Sequence, residues 1–149
     1  MPAVIIRAVK SRDFDAVFGL LCQLWTYKKL NKARVKKVFL AKLREKNHKA
    51  FIAESGGSIA GYAGTAIHNN LWQAGKMCHL NELVVEETIR GKGIGSKLLK
   101  KVEAYARKNK CRGIDLESAM RRKLTHRFYN DRKYETKALF FTRLFYPDR

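Results

Sequence analysis

The sequence predicts an α/β protein, a mixed sheet with helices packed against it, and three observations carry that expectation. Short β-branched or alternating runs interleave with longer stretches whose apolar residues recur every three or four positions. Apolar residues make up 46% of the 149 residues and charged residues 30%, with only ten glycines and two prolines. Such values exclude collagen-like, low-complexity and wholly disordered chains. No linker, repeat or composition break interrupts the chain, so one domain over 1–149 is expected. A chain of this length buries roughly 70% of its unfolded surface.

Each element follows from its own pattern. Val4 to Val9 is a short, mostly β-branched run and reads as a strand. Ser11, Arg12 and Asp13 precede a helix whose apolar face is Phe14, Val17, Phe18, Leu21 and Leu24. Val35, Val38, Phe39 and Leu43 repeat that spacing in a second helix. Ala50 to Glu54 and Ile59 to Ile67 flank Ser55-Gly56-Gly57-Ser58, the signature of a hairpin. An irregular connection bracketed by Asn69-Asn70 and Ala74-Gly75 leads to a strand at Met77 to Val85. Ile94, Leu98, Leu99, Val102 and Tyr105 form one helical face, and Ile114 to Glu117 is a short strand. A helix over about 122–131 holds Leu124 to Tyr129, and a strand or two is expected within Tyr134 to Phe145.

The charge is the outlying property: 32 Lys and Arg against 13 Asp and Glu, a net +19. Such a field favours anionic partners, whether nucleic acid, phosphorylated cofactors or an acidic membrane surface. The basic residues are spread along the chain, and Trp25, Tyr27, Phe51 and Trp72 do not form a nucleic-acid stacking platform. No apolar run approaches the ~20 residues that span a bilayer. Three widely spaced cysteines, Cys22, Cys78 and Cys111, fit neither a disulfide framework nor a zinc site. With no secretory pattern at the start, a cytoplasmic location is expected, with no membrane association and no metal.

Chemistry concentrates where the strand ending Leu83-Val84-Val85 meets Arg90-Gly91-Lys92-Gly93-Ile94-Gly95-Ser96 and a helix begins. Glycines allow positive φ and close approach of a ligand to the backbone. The first N–H groups of a helix lack intrahelical partners and carry the positive end of its dipole. Together they make a phosphate cradle, with Arg90 and Lys92 at its rim. The spacing is neither that of a P-loop nor that of a dinucleotide-binding turn.

Arg90-x-x-Gly93-x-Gly95 after an apolar strand resembles the acyl-CoA-binding motif of the GNAT superfamily of N-acetyltransferases. His126-Arg127-Phe128-Tyr129-Asn130-Asp131-Arg132-Lys133-Tyr134 resembles that family's second landmark. The order and spacing of the two match, and the likeness covers nearly the whole chain. Met1-Pro2-Ala3, Asp15-Ala16-Val17, Glu82 to Val85, Gly95 to Leu99 and His126 to Tyr129 look similar to aminoalkylphosphonate N-acetyltransferases.

The resemblance implies a mostly antiparallel GNAT sheet, acetyl-CoA as co-substrate, and acetyl transfer to a primary amine of a small molecule or protein by direct attack. A homodimer is among its implied assemblies. A basic nucleic-acid-binding module, or a CoA-binding regulator without catalysis, is the alternative. Leu83, Val84 and Val85 match the backbone positions that pair with the pantetheine arm. Arg90, Gly91, Lys92, Gly93, Ile94, Gly95 and Ser96 match the pyrophosphate turn, and Arg122 and Arg132 join them as cofactor-binding candidates. Tyr129 matches the acid that protonates the departing thiolate. The general base is His79 or Glu82. In a regular strand these two, three positions apart, face opposite ways, and a bulge would change that. Lys133 occupies a position where the family has a glycine, commonly in a left-handed conformation that disfavours a lysine by roughly 1 kcal/mol.

Overall fold

The structure, a computed structural model, describes residues 2–146. The chain divides into two compact units, Met1–Leu116 and Glu117–Arg149.

The first unit holds a five-stranded sheet in the order β1-β2-β3-β4-β5, made of β1 (Val4–Ala8), β2 (His48–Ser55), β3 (Ser58–Asn70), β4 (Gly75–Val85) and β5 (Gly113–Asp115). The first four strands pair antiparallel and β5 joins β4 in parallel, so the sheet is mixed and mostly antiparallel as expected. Gly56 and Gly57 both take positive φ, 59° and 80°, which is the tight-turn geometry that joins β2 to β3 without splaying them. Helices α1 (Phe14–Leu24) and α2 (Lys32–Arg44) precede β2, and α3 (Ile94–Lys108) connects β4 to β5.

Apolar periodicity decides the layers. Phe14, Val17, Leu20, Leu21 and Leu24 of α1 are buried with Phe39 of α2 against Ala50, Ile52, Tyr62 and Val84 of the sheet. Val38, expected in the core, is exposed. Ile94, Leu98, Leu99, Val102 and Ala106 of α3 are buried. Tyr105 of α3 meets Phe51 edge-on at 5.9 Å, and a Cβ on Gly61 would lie 2.8 Å from Leu98 Cδ1. Phe51 and Gly61 therefore mark the α3 face of the sheet, while Ile52 and Tyr62 mark the α1/α2 face. Arg7 ties β1 to the start of α1, donating to both carboxylate oxygens of buried Asp13 at 2.9 Å and to Glu54 Oε1.

The second unit contains α4 (Lys123–Asn130), within the predicted span. The strand expected in 134–145 does not form: no described residue from 134 to 146 is in a strand. Leu139, Phe140, Phe141, Leu144, Phe145 and Tyr146 are instead 66–90% exposed. Apolar, β-favouring composition is only a propensity, and a strand exists only where an edge supplies its hydrogen bonds.

Candidate functional site

β4 and the turn after it carry most of the candidates. β5 pairs only with Met77, Cys78 and His79. β4 then runs on through Val85, held on its other side by β3 through Leu83↔Ala63, Val84↔Tyr62 and Val85↔Gly61. Among the described residues no strand pairs with Leu83, Val84 or Val85 on the β5 side. That stretch is an open edge of the kind an extended ligand can join, with the Val85 carbonyl accepting from the Arg90 side chain. Val84 turns its side chain into the core.

Beyond Val85 a single helical turn (Glu87–Ile89) leads to Arg90, whose Nε donates to the Val85 carbonyl at 2.8 Å and closes the connection. Gly91 and Gly93 take φ of 79° and 86°, and a Cβ built on either meets no atom within 4 Å. Gly93 is the N-cap of α3, and no side chain caps that end or places an acid in its first turn. The positive end of this 15-residue helix therefore has no acidic residue of its own first turn to offset it. This arrangement fits a phosphate-bearing molecule such as CoA, held by N–H groups near Gly93, Ile94, Gly95 and Ser96, with Lys92 adjacent. Ile94 anchors the turn by burying its side chain.

The base candidates lie on the same strand, and a bulge decides their relation. Gly64 pairs with Glu82 but Thr65 pairs with Leu80, so Asn81 is the extra residue on β4. His79 and Glu82 are thereby brought to one face, in neighbouring rows ~7 Å apart along the strand. It is the α1/α2 face, because Glu82 lies two residues before Val84. Cys78 projects to the other side, toward Tyr105 and Cys111, where burial pushes its thiol up to about 11. A Cys78–His79 thiol–imidazole pair is thus absent.

Glu82 is half-buried, and its Oε2 is a buried oxygen with no hydrogen-bond partner among the described residues. It lies over Gly64, where a Cβ would approach Oε2 to 2.6 Å and the Tyr62 hydroxyl to 2.9 Å. Burial raises the Glu82 pKa, while Lys42 of α2 and His79 pull it partly back. The carboxyl therefore stands above the ordinary carboxylate range. His79 Nδ1 lies 2.6 Å from Asp115 Oδ1 of β5, its register partner.

Two residues of this face had no motif to announce them. Asp115 becomes visible only through the parallel pairing of β5 with β4. His48 stands in the same cross-sheet row, through His48↔Ala66 and Ala66↔His79, and its Nε2 is buried without a hydrogen-bond partner among the described residues. Burial, followed by the charge of Lys42, lowers the His48 pKa.

In the second unit, Tyr129 is buried between Phe128 and Tyr134, at ring distances of 5.2 and 5.5 Å. Burial pushes its phenol up to about 12, against the opposing pull of Arg122. Arg132 stacks 3.8 Å over the Phe128 ring and donates to the Phe128 carbonyl. Lys133 takes the left-handed conformation, φ 67°, as the glycine of the motif would. Trp25 packs on the core, whereas Tyr27 and Trp72 are exposed.

Comparison with known proteins identifies the family and the fold. The acetyltransferase (GNAT) family profile matches residues 14–134. An aminoalkylphosphonate N-acetyltransferase of Salmonella typhimurium strain LT2 is 29% identical over 143 residues, 96% of this chain and 92% of the relative. A transcriptional regulator from Bacillus halodurans C-125 superposes with a TM-score of 0.88 at 21% identity, covering 96% of this chain and all of that one. An aminoglycoside N-acetyltransferase in complex with CoA superposes with a TM-score of 0.85 at 19% identity, covering 97% of each chain. No helix among the described residues is long and apolar enough to cross a membrane.

Proposed function

The chain belongs to the acetyltransferase (GNAT) family and is an acetyl-CoA-dependent N-acetyltransferase, and from that premise we propose that its acceptor is a small primary amine carrying a phosphonate or similar anionic group, with Glu82 as the general base. The observation that carries the base assignment is the buried, unpartnered Glu82 oxygen on the strand whose open edge is Leu83 to Val85. A carboxyl held above its usual range takes a proton from an ammonium more readily than an ordinary carboxylate. The acceptor class is supported by the phosphonate-acetylating relative, the +19 charge and Lys42 beside Glu82.

Acetyl-CoA supplies an activated thioester. In this reading the β4 edge at Leu83–Val85 aligns its arm and the Gly91–Ser96 turn holds its phosphates, with Arg90 clamping the turn and Lys92, Arg122 and Arg132 supplying further charge. Glu82 removes a proton from the acceptor nitrogen. The nitrogen forms its bond to the acetyl carbon as the carbon–sulfur bond breaks, with no enzyme thiol intervening. Tyr129, whose phenol stays protonated across the working pH range, gives its proton to the leaving sulfur. The whole of 1–149 acts as one cytoplasmic catalytic domain. It pairs as a homodimer, a reading supported by the apolar stretch at 139–146, a surface of the kind that marks an interaction site.

Thiol release from acetyl-CoA, measured with aminoalkylphosphonates, aminoalkylcarboxylates, a polyamine and a lysine peptide, tests the acceptor class. The small anionic amines should give the highest kcat/KM. A polyamine that matched or exceeded them would overturn it. Glu82→Gln should lower kcat by about 10²-fold or more.

A further inference from the structure

We infer that His79 and Asp115 form a proton exit from Glu82 to solvent, with Asp115 as the positioning residue that orients the His79 ring. The inference rests on Glu82 being the base.

The need for an exit follows from the proton balance. An acceptor amine enters as an ammonium with three protons on nitrogen and leaves as an amide with one. One of the two lost protons ends on the departing sulfur. The other must reach bulk water in every turnover, and Glu82 is only half-exposed, with Oε2 shut off from solvent.

The sheet supplies a graded path. Glu82 and His79 share a face because the Asn81 bulge absorbs the odd residue between them, and His79 is close enough to act electrostatically on the Glu82 carboxyl. In the next strand Asp115 lies 2.6 Å from His79 Nδ1. Solvent access rises along the series: Glu82 Oε2 is buried, the His79 side chain is 24% exposed and that of Asp115 43%. A ring that donates Nδ1–H to a carboxylate is held in the tautomer whose Nε2 accepts a proton. The proton taken up at Nε2 makes an imidazolium that Asp115 stabilises. Loss of that Nε2 proton to water, with Nδ1–H kept on Asp115, returns the ring to its starting tautomer, so no group changes its net state over the cycle.

Charged and polar groups surround both side chains. The groups facing Glu82 include Lys42 from α2, His79 from β4 and the Tyr62 hydroxyl from β3. Those facing His79 include Glu82, Asp115 from β5 and the His68 ring, 6.5 Å away on β3. Burial favours the protonated form of Glu82, and Lys42 and His79 oppose it.

The experiment compares turnover of His79→Ala, Asp115→Ala and Glu82→Gln as imidazole buffer is raised at constant pH and ionic strength. Thermal unfolding and the acetyl-CoA-induced stabilisation of each variant first establish that it folds and binds. His79→Ala and Asp115→Ala should lose about 10- to 100-fold in kcat at low buffer with KM for the acceptor little changed. Added imidazole should restore much of that loss, most in His79→Ala, while wild type does not respond. Glu82→Gln should stay slow at every imidazole concentration. Full turnover of His79→Ala and Asp115→Ala at low buffer, or a loss that imidazole leaves untouched, would overturn the exit and leave the pair a structural tie between β4 and β5. Full turnover of Glu82→Gln would instead remove the base reading on which the exit depends.

Discussion

Gly93→Ala separates what the glycine does for the fold from what it does for the ligand. Its φ of 86° lies in the left-handed region, where an L side chain costs about 1–2 kcal/mol. The new Cβ meets no atom within 4 Å, so no packing clash adds to that. Reduced freedom of the unfolded chain returns about 0.4–1 kcal/mol. The net loss is about 1 kcal/mol, or a fall in Tm of about 2–4 °C for a chain of this size. Gly57→Ala is the matched control, because Gly57 has φ of 80° and an equally open Cβ position, but in the β2–β3 turn. Both variants should unfold a few degrees early by scanning calorimetry. Only Gly93→Ala should lose affinity for CoA by calorimetric titration. Displacing a phosphate from charge-assisted N–H bonds is worth about 1.5–3 kcal/mol, roughly 10- to 150-fold in Kd. Equal CoA affinity in the two variants would refute the placement of phosphate at the start of α3.

Tyr129→Phe should lower kcat by about 10²-fold under chemistry-limited conditions with acetyl-CoA affinity nearly intact, as stopped-flow turnover and titration would show. Lys133→Gly should raise stability by about 0.5–1 kcal/mol, read from urea unfolding, since it relieves a left-handed lysine without touching a hydrogen bond of its side chain. Glu82→Gln should stabilise the fold in a pH-dependent way. Because the folded pKa of Glu82 is raised, the native state holds a proton that the unfolded state releases between the ordinary carboxylate range and that raised value. Wild-type stability therefore falls as pH rises through this window. The gain in Glu82→Gln should be largest above it and vanish below it, and a gain that grows toward acid would contradict the burial of the carboxyl.

The elements with their own periodicity were legible from the residues alone. α1 and α3 bury nearly the residues their spacing marks, and Gly56-Gly57 turns the hairpin that its composition announces. The failures have physical causes. Val38 follows a helical spacing yet is exposed, because α2 meets the core through a narrower stripe centred on Phe39. The apolar run after Tyr134 has strand composition, but composition supplies no partner for backbone hydrogen bonds, and none of its described residues pairs.

Parity is where sequence reasoning about the base stops. Along a strand, an even separation means one face and an odd separation means two, so His79 and Glu82 read as opposed. A single unpaired residue reverses that rule for everything beyond it, and nothing in Leu80-Asn81-Glu82 announces which residue it will be. The same bulge settles two matters at once. It sets Glu82 over Gly64, the one spot on β3 where no Cβ would drive the carboxylate away, and it returns His79 to the row that ends at Asp115. The glycine and the bulge therefore have to be read together. Gly64→Ala, which touches neither catalytic candidate in sequence, should displace the Glu82 carboxylate and lower kcat more than it lowers affinity for acetyl-CoA. Wild-type turnover in that variant would show that the carboxylate does its work from some other position.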